Sequence, residues 1–588
     1  MSGEIIAVPA DIPAARLMSR PVQTVAPDTP LAEAHGAFMR TGHRTLPVVS
    51  DGRPVGLLGR TDCERAVRHG LGDHVVSQAM GPAPPAVTTD ASAGEVLRIL
   101  GAPGPGRVLV TGETGELCGI ISRSDLLVRL LGQAGDGGPP GAVATDMPPG
   151  FTVLEIASLL EARWAPAELQ LLRRISRECS GRRLYLVGGA VRDLLLGRPS
   201  YDLDLMVEDS GQQAARHLAT VLGAEVSVHE PFGTATLVLP GGRRIDVATS
   251  RAELYSRPGA LPEVTPAGLL HDLARRDFTL NALAMRVDPG AWGRVIDPYG
   301  GLDDLEHGRL RVLYTISFIE DPTRLVRGVR FERKFGLRLE PRTAELARFA
   351  LASGKLDALG GERLKNELRK LLALPDLAGA VSRLAEFDAW RLLHPALAGT
   401  APDAGTLERL EAVLREWPEL AGDDALAARY RGTLAVVLAP LGPERAREAL
   451  ASLHSAGEDI RGIVQAIQAG ADLGDRLRDL LAGQASERFR AFRQLGADAL
   501  RHLAALSGLP AVRAAAVEHL AVREVRLLAV DGDWLKAQGV APGPLLGKVL
   551  DDTLMAVIDR IVPPDPEAQR RFALARAREL GAVPGGRS

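Results

Sequence analysis

A chain of 588 residues is too long to bury one hydrophobic core and divides into three or four domains. Its formal net charge of −3 excludes a global attraction to nucleic acid, so any RNA binding has to come from local patches. Three scattered cysteines (Cys63, Cys118, Cys179) suit neither a disulfide framework nor a zinc site. With no charged-then-apolar leader, and no run near the roughly 18 apolar residues of a membrane helix, a cytoplasmic protein without a membrane partner is expected.

The N-terminal part repeats itself. Gly56-Leu-Leu-Gly-Arg-Thr-Asp62 recurs as Gly119-Ile-Ile-Ser-Arg-Ser-Asp125, and Met18 near Val25 is echoed by Met80 near Val87. Each copy reads strand, helix, strand, strand, helix, with Leu46 to Val49 as the core strand of the first, Asp51-Gly52 as a hairpin turn and Val55 to Leu58 as the return. These features resemble a tandem CBS pair, an α/β domain spanning 1–131. The resemblance implies a cleft for an adenine nucleotide, with Asp62 and Asp125 at the ribose positions and Ser122 at the hydroxyl position near the phosphate. Gly59 replaces that hydroxyl in the first copy. The alternative is that the pair dimerises the chain or spaces its domains, since fold does not establish a ligand. Gly132 to Gly141 is a flexible linker by composition, placing a boundary over 132–150. Residues 150–180 read as helical and partly basic.

Residues 184–208 read strand, glycine turn, short helix, turn, strand. Leu184 to Val187 is an apolar run that stops at Gly188-Gly189, Val191, Leu194 and Leu195 fall at helical spacing, and Gly197 is the C′ residue. Asp202 and Asp204, two apart on a strand, share one face while Leu203 and Leu205 take the other. Paired hard carboxylates suit Mg²⁺ with substrate phosphates completing its coordination, and the glycines let the start of the helix approach a triphosphate, with Arg192 adding charge. On Arg243 to Thr249, Asp246 faces away from Ile245 and Val247 and is a third carboxylate, suited to accept the proton of an attacking hydroxyl.

The whole run resembles the head-domain signature of the class II nucleotidyltransferases, the family of bacterial tRNA CCA-adding enzymes and poly(A) polymerases. The expected head covers 151–310 as a mixed β-sheet with helices. Residues 250–270, punctuated by Pro and Gly, read as a mobile loop, and the family has a flexible loop there that terminal adenosine addition requires. Arg275 to Leu283 matches a second family motif, which makes Arg275 and Arg276 candidate triphosphate clamps and suits Asp277 and Asn281 to hold the ribose or the arginines. Ile296 to Leu305 is expected to close the head with structural carboxylates.

From Glu320 a helix is predicted with acidic residues and Pro322 in its first turn. Residues 320–370 hold 13 Lys and Arg against 8 Asp and Glu, the best RNA-facing patch of the chain. The segment resembles the family's Glu-Asp-x-x-Arg element, which implies base recognition by Asp321 and Arg324, with Arg327 and Arg330 facing the nucleotide. Glu362 to Lys370 matches a further helical motif. A neck over 311–375 and an all-α, RNA-binding body and tail over 376–588 complete a multidomain α/β plus all-α chain. The expectation is a template-independent RNA nucleotidyltransferase with Mg²⁺, taking ATP and CTP to a tRNA 3′ end. The same motifs suit a poly(A) polymerase, and a rival of another class is a silent, adenylate-sensing RNA-binding protein.

Overall fold

The computed structural model describes residues 12–101, 106–122, 152–198, 203–230, 233–254, 263–354, 361–421, 424–524 and 528–582. The chain forms two compact units, Met1–Leu356 and Asp357–Ser588.

In the first unit, the N-terminal repeat has the expected order. Strands Thr45–Ser50 and Arg53–Gly59 pair antiparallel around Asp51 and Gly52, both at positive φ as a tight hairpin turn requires. Thr88 and Thr111 end the parallel strands of the second copy, and Leu117–Ser122 returns antiparallel. The repeated methionines have a steric purpose. A Cβ on Gly56 would overlap Met80 Sδ, and one on Gly119 would overlap Met18 Sδ, so each copy's leading methionine packs over the glycine of the other copy. The helix expected after Ser122, with Asp125 on it, lies outside the described residues.

The head is built on an eight-stranded sheet in the order Thr152–Glu155, Arg294–Asp297, Ala284–Arg286, Leu184–Val187, Leu203–Val207, Arg244–Thr249, Thr234–Val238, Glu225–His229. Neighbours are antiparallel except Leu203–Val207 with Arg244–Thr249. Leu184, Leu186, Leu203, Leu205, Ile245 and Val247 bury one face under helices Pro166–Glu178, Gly189–Leu195 and Gly211–Leu222. Tyr185, Val187 and Met206 on the other face pack against Leu269 and Leu273. Two segments differ from their sequence reading. Residues 150–180 are not wholly helical, because Thr152–Glu155 pairs with Arg294–Asp297 as the edge strand. The segment read as a loop over 250–270 carries an antiparallel pair, Arg251–Leu254 with Glu263–Pro266.

Asp297 closes the head by accepting backbone N–H bonds from Tyr299, Gly300, Gly301 and Leu302 at 2.9 to 3.2 Å, which satisfies the start of helix Gly301–Glu306. The basic helix runs Thr323–Phe335 and stops at Gly336, a left-handed cap. It begins later than the sequence suggests. Asp321 sits before it in extended backbone (φ −142°, ψ 92°), because its Oδ1 accepts from Thr323 N and Oγ1 at 3.2 and 2.6 Å and so takes a capping role.

The second unit is helical throughout its described residues, from Glu362–Leu372 to Pro566–Glu579. Arg501 is 1% exposed, and its guanidinium is satisfied by the carbonyls of Leu420 and Ala428. No described helix is long and apolar enough to cross a membrane.

Candidate active site

One end of the head sheet collects the chemistry. Leu186 pairs with Leu205, so the register carried one residue further sets Val187, just before Gly188-Gly189, opposite Asp204. Asp246 is the cross-strand partner of Asp204, on the face opposite Ile245 and Val247, with strands about 4.8 Å apart. Two carboxylates therefore stand side by side at that end, as alternation on a strand requires. Asp246 also accepts Thr236 Oγ1 at 2.6 Å. Asp202 lies outside the described residues.

Gly188 has φ +65°, and a Cβ there would sit 2.9 Å from Arg276 Nη1. The glycine thus admits the arginine to the turn. Arg276 is held by Asp272 Oδ2 at 2.8 Å, and Arg275 by Asp272 Oδ1 at 2.7 and 3.0 Å. Asp272 is 1% exposed; burial would raise its pKa, but Arg276 and Arg275 bring it below the ordinary value.

Arg192, expected to add charge for phosphate, is buried among several partners. Its Nη1 donates to Asn281 Oδ1 at 2.7 Å and its Nε to Asp193 at 2.8 Å, and it lies over the rings of Phe331 and Phe335 at 5.0 and 4.4 Å. Asn281 in turn donates to Asp277 Oδ1 at 2.8 Å, whose Oδ2 accepts from Arg327 Nη1 at 3.0 Å. Burial opposes the ionised Asp277, yet Arg327, Asn281 and Arg324 hold its pKa below the usual range. Arg324 donates to Tyr314 Oη and Ser317 Oγ at 2.6 Å each and to the Arg275 carbonyl at 3.0 Å, and its Nε is 3.8 Å from Asp321. Arg330 is half-buried over the Phe331 ring, 4.8 Å from its centroid. The structure thus joins the glycine turn, the 272–281 segment and the Thr323–Phe335 helix into one polar network beside the carboxylate pair.

The Poly A polymerase head domain family matches residues 184–311, and the CBS domain family matches 5–69 and 76–132. An A-adding tRNA nucleotidyltransferase of Geobacter sulfurreducens is 36% identical over 404 residues, 68% of this chain and 45% of that protein. A CC-adding tRNA nucleotidyltransferase of Deinococcus radiodurans is 33% identical over 394 residues, 66% of this chain and 90% of that protein. The chain belongs to the tRNA nucleotidyltransferase family. The Thermotoga maritima CCA-adding enzyme complexed with tRNA is a solved structure of similar fold, with a TM-score of 0.59 and 29% identity over 72% of this chain and 99% of that one. Against the Geobacter relative, this family member spans less than half the length.

Sequence reasoning missed Asp272, Asp193, Tyr314 and Ser317. For Asp272 the signal was available: it precedes Arg275 and Arg276 by three and four residues, the spacing of helical ion pairs. Asp272→Ala leaves two arginines without their shared anion, at a cost of about 3 kcal/mol. The first thermal transition is expected to fall by several degrees at pH 7. Because the folded pKa values of Asp272 and Asp277 are depressed, their stabilisation is present above the ordinary 3.8 and is lost as pH falls below it. The Asp272→Ala deficit therefore shrinks on acidification, which melting curves at pH 7 and pH 3.5 measure.

Proposed function

We propose that the chain adds nucleotides from ATP and CTP to the 3′ end of tRNA without a nucleic-acid template. The observation that carries this reading is the in-register pair Asp204 and Asp246 beside the Gly188 turn and its arginines. In the proposed reaction the primer 3′-OH attacks the α-phosphorus in line; the new P–O bond forms as the bond to pyrophosphate breaks. Asp202 and Asp204 are the proposed ligands of two Mg²⁺ ions, since carboxylate oxygens suit so hard a cation. When bound, the metal supplies charge neutralisation and a more acidic hydroxyl. Asp246 accepts the hydroxyl proton in this reading. Arg276 and Arg275, preset by Asp272, face the triphosphate, and Asp277, Asn281, Arg192, Arg327 and Arg330 hold the nucleotide and one another. Asp321 and Arg324 read the base.

The test supplies tRNA lacking its 3′ end, tRNA ending in C, tRNA ending in CC and an unrelated RNA, each with labelled ATP or CTP. Incorporation confined to tRNA is expected, and the accepted ending separates full CCA addition from addition of the final A. Long A tails on the unrelated RNA would mean a poly(A) polymerase. No incorporation into any of them would overturn the enzymatic reading in favour of a silent RNA-binding protein.

For the CBS pair we propose an adenine nucleotide at the second copy, held by Ser122 and Asp125, and pairing of two chains through the repeats. Ser122 ends strand Leu117–Ser122. Calorimetry of the full chain with AMP or ATP is expected to show weaker binding in Asp125→Ala than in Asp62→Ala. No heat at the CBS pair with either nucleotide would leave it a spacer.

A further inference from the structure

We propose that the first CBS repeat positions Arg324, and through it tunes base selection, by supplying part of the charge that holds Glu320 in place. This rests on the reading of Asp321 and Arg324 as the base-recognising pair.

Glu320 ends the short helix Ser317–Glu320 and is 3% exposed. A carboxylate so buried costs several kcal/mol unless cations and donors surround it. Half of its surroundings come from the CBS repeat: Arg65 Nε and His69 Nε2, on and just after helix Arg60–Arg68, both stand 3.7 Å from Glu320 Oε1. The other half comes from the catalytic side, where Tyr314 Oη donates to Glu320 Oε2 at 2.7 Å and itself accepts Arg324 Nη1 at 2.6 Å. The Tyr314 ring carries both cations, Arg65 at 4.9 Å and Arg324 at 5.4 Å from its centroid. Burial acts to raise the Glu320 pKa, but His69, Arg65, Tyr314 and Arg324 together keep it low, so the anion is shared between the two sides.

The CBS pair is docked here rather than tethered. Arg342 Nη2, on helix Pro341–Ala352, donates to the carbonyls of Ser77 and Met80 at 3.0 and 2.6 Å, and His74 meets the Phe349 ring edge-on at 5.4 Å. Asp62, the residue the repeat pattern offers to a ribose, also turns to this seam. Burial lifts its carboxyl to about 6 against the pull of Arg65, with Glu320 adding to the rise, and the Thr315 hydroxyl lies near it.

The consequence follows from charge balance. With Arg65 gone, Glu320 leans harder on the remaining cation, drawing the Arg324 guanidinium away from Ser317 and the Arg275 carbonyl. A base-reading group displaced by a fraction of an ångström loses selectivity before it loses turnover.

The experiment compares the full chain with Arg65→Met, Arg65→Lys, Tyr314→Phe and Arg324→Lys, measuring kcat and KM for ATP, CTP, GTP and UTP on one tRNA primer. Arg65→Met and Tyr314→Phe are each expected to raise KM for ATP and CTP and narrow their advantage over GTP and UTP roughly threefold to tenfold. The kcat of Arg65→Met is expected to stay within about twofold, with Arg65→Lys restoring selectivity by returning the charge. If Arg324→Lys loses selectivity while Arg65→Met and Tyr314→Phe keep it, the CBS contact is only structural and the proposal falls while the base reading stands. A uniform loss with all four nucleotides in Arg65→Met also overturns it. Unchanged selectivity in Arg324→Lys overturns the base reading and this proposal together.

Discussion

Asp204→Ala is expected to cut nucleotide incorporation by roughly a thousandfold or more, the scale lost when a group that stabilises transition-state charge is removed, while the fold and tRNA binding stay close to intact. Asp204 is half-buried at the end of a strand whose core contacts are made by Leu203, Leu205 and Val207 on the opposite face. Removing its carboxylate leaves that packing untouched, so the stability change is expected to stay within about 0.5 kcal/mol. The chemistry has no such reserve, because Asp246 cannot supply its partner's charge. Incorporation of labelled ATP with Mg²⁺ present, alongside a gel shift with the same tRNA, separates the two effects. Undiminished turnover in Asp204→Ala, or in Asp202→Ala, would remove the carboxylate pair from the mechanism.

Local periodicity made much of this site legible. Alternation on strands put Asp204 and Asp246 on one face and their leucine, isoleucine and valine neighbours on the other, and the register then set the two carboxylates side by side. The internal repeat announced the N-terminal domain, although only the packing of Met18 over Gly119 and Met80 over Gly56 explains why both residue types recur. What stayed hidden depends on partners distant in sequence. Arg192 carries the charge of a phosphate clamp, but its contacts to Asn281, 89 residues away, and to two rings of the Thr323–Phe335 helix have no local signal. Thr152–Glu155, read as part of a helical stretch, is an edge strand because it pairs with Arg294–Asp297. Glu320 read as an acid at a helix start, and nothing local shows that the CBS repeat covers it. Short-range pattern identifies a residue's chemistry, and long-range packing decides how much of that chemistry is already committed.

Asp321→Ala is expected to lower kcat/KM for ATP and CTP by roughly 10- to 100-fold and to narrow their advantage over UTP and GTP. Cytosine and adenine both present an exocyclic amine beside a ring-nitrogen acceptor, whereas uracil and guanine present a carbonyl beside an N–H. A carboxylate next to a guanidinium matches the first pattern and opposes the second. Asp321 and Arg324 are adjacent in that sense, 3.8 Å apart and each 3% exposed, so a wrong base would leave buried charged groups unpaired. Asp321 also caps the helix through Thr323, a contribution of about 1 kcal/mol that alanine removes as well. Asp321→Asn separates the two roles: its side-chain oxygen keeps the cap, but its amide lacks the charge that favours an amine, so selectivity is expected to fall with little loss of stability. Arg192→Ala provides the contrast. Its contacts run to Asp193, Asn281 and the aromatic rings rather than to Asp321 or Arg324, so it is expected to weaken all four nucleotides alike. Steady-state kinetics with each nucleotide on one tRNA primer decide the matter, and equal losses across the four in Asp321→Ala would make the Thr323–Phe335 helix a scaffold rather than a base reader.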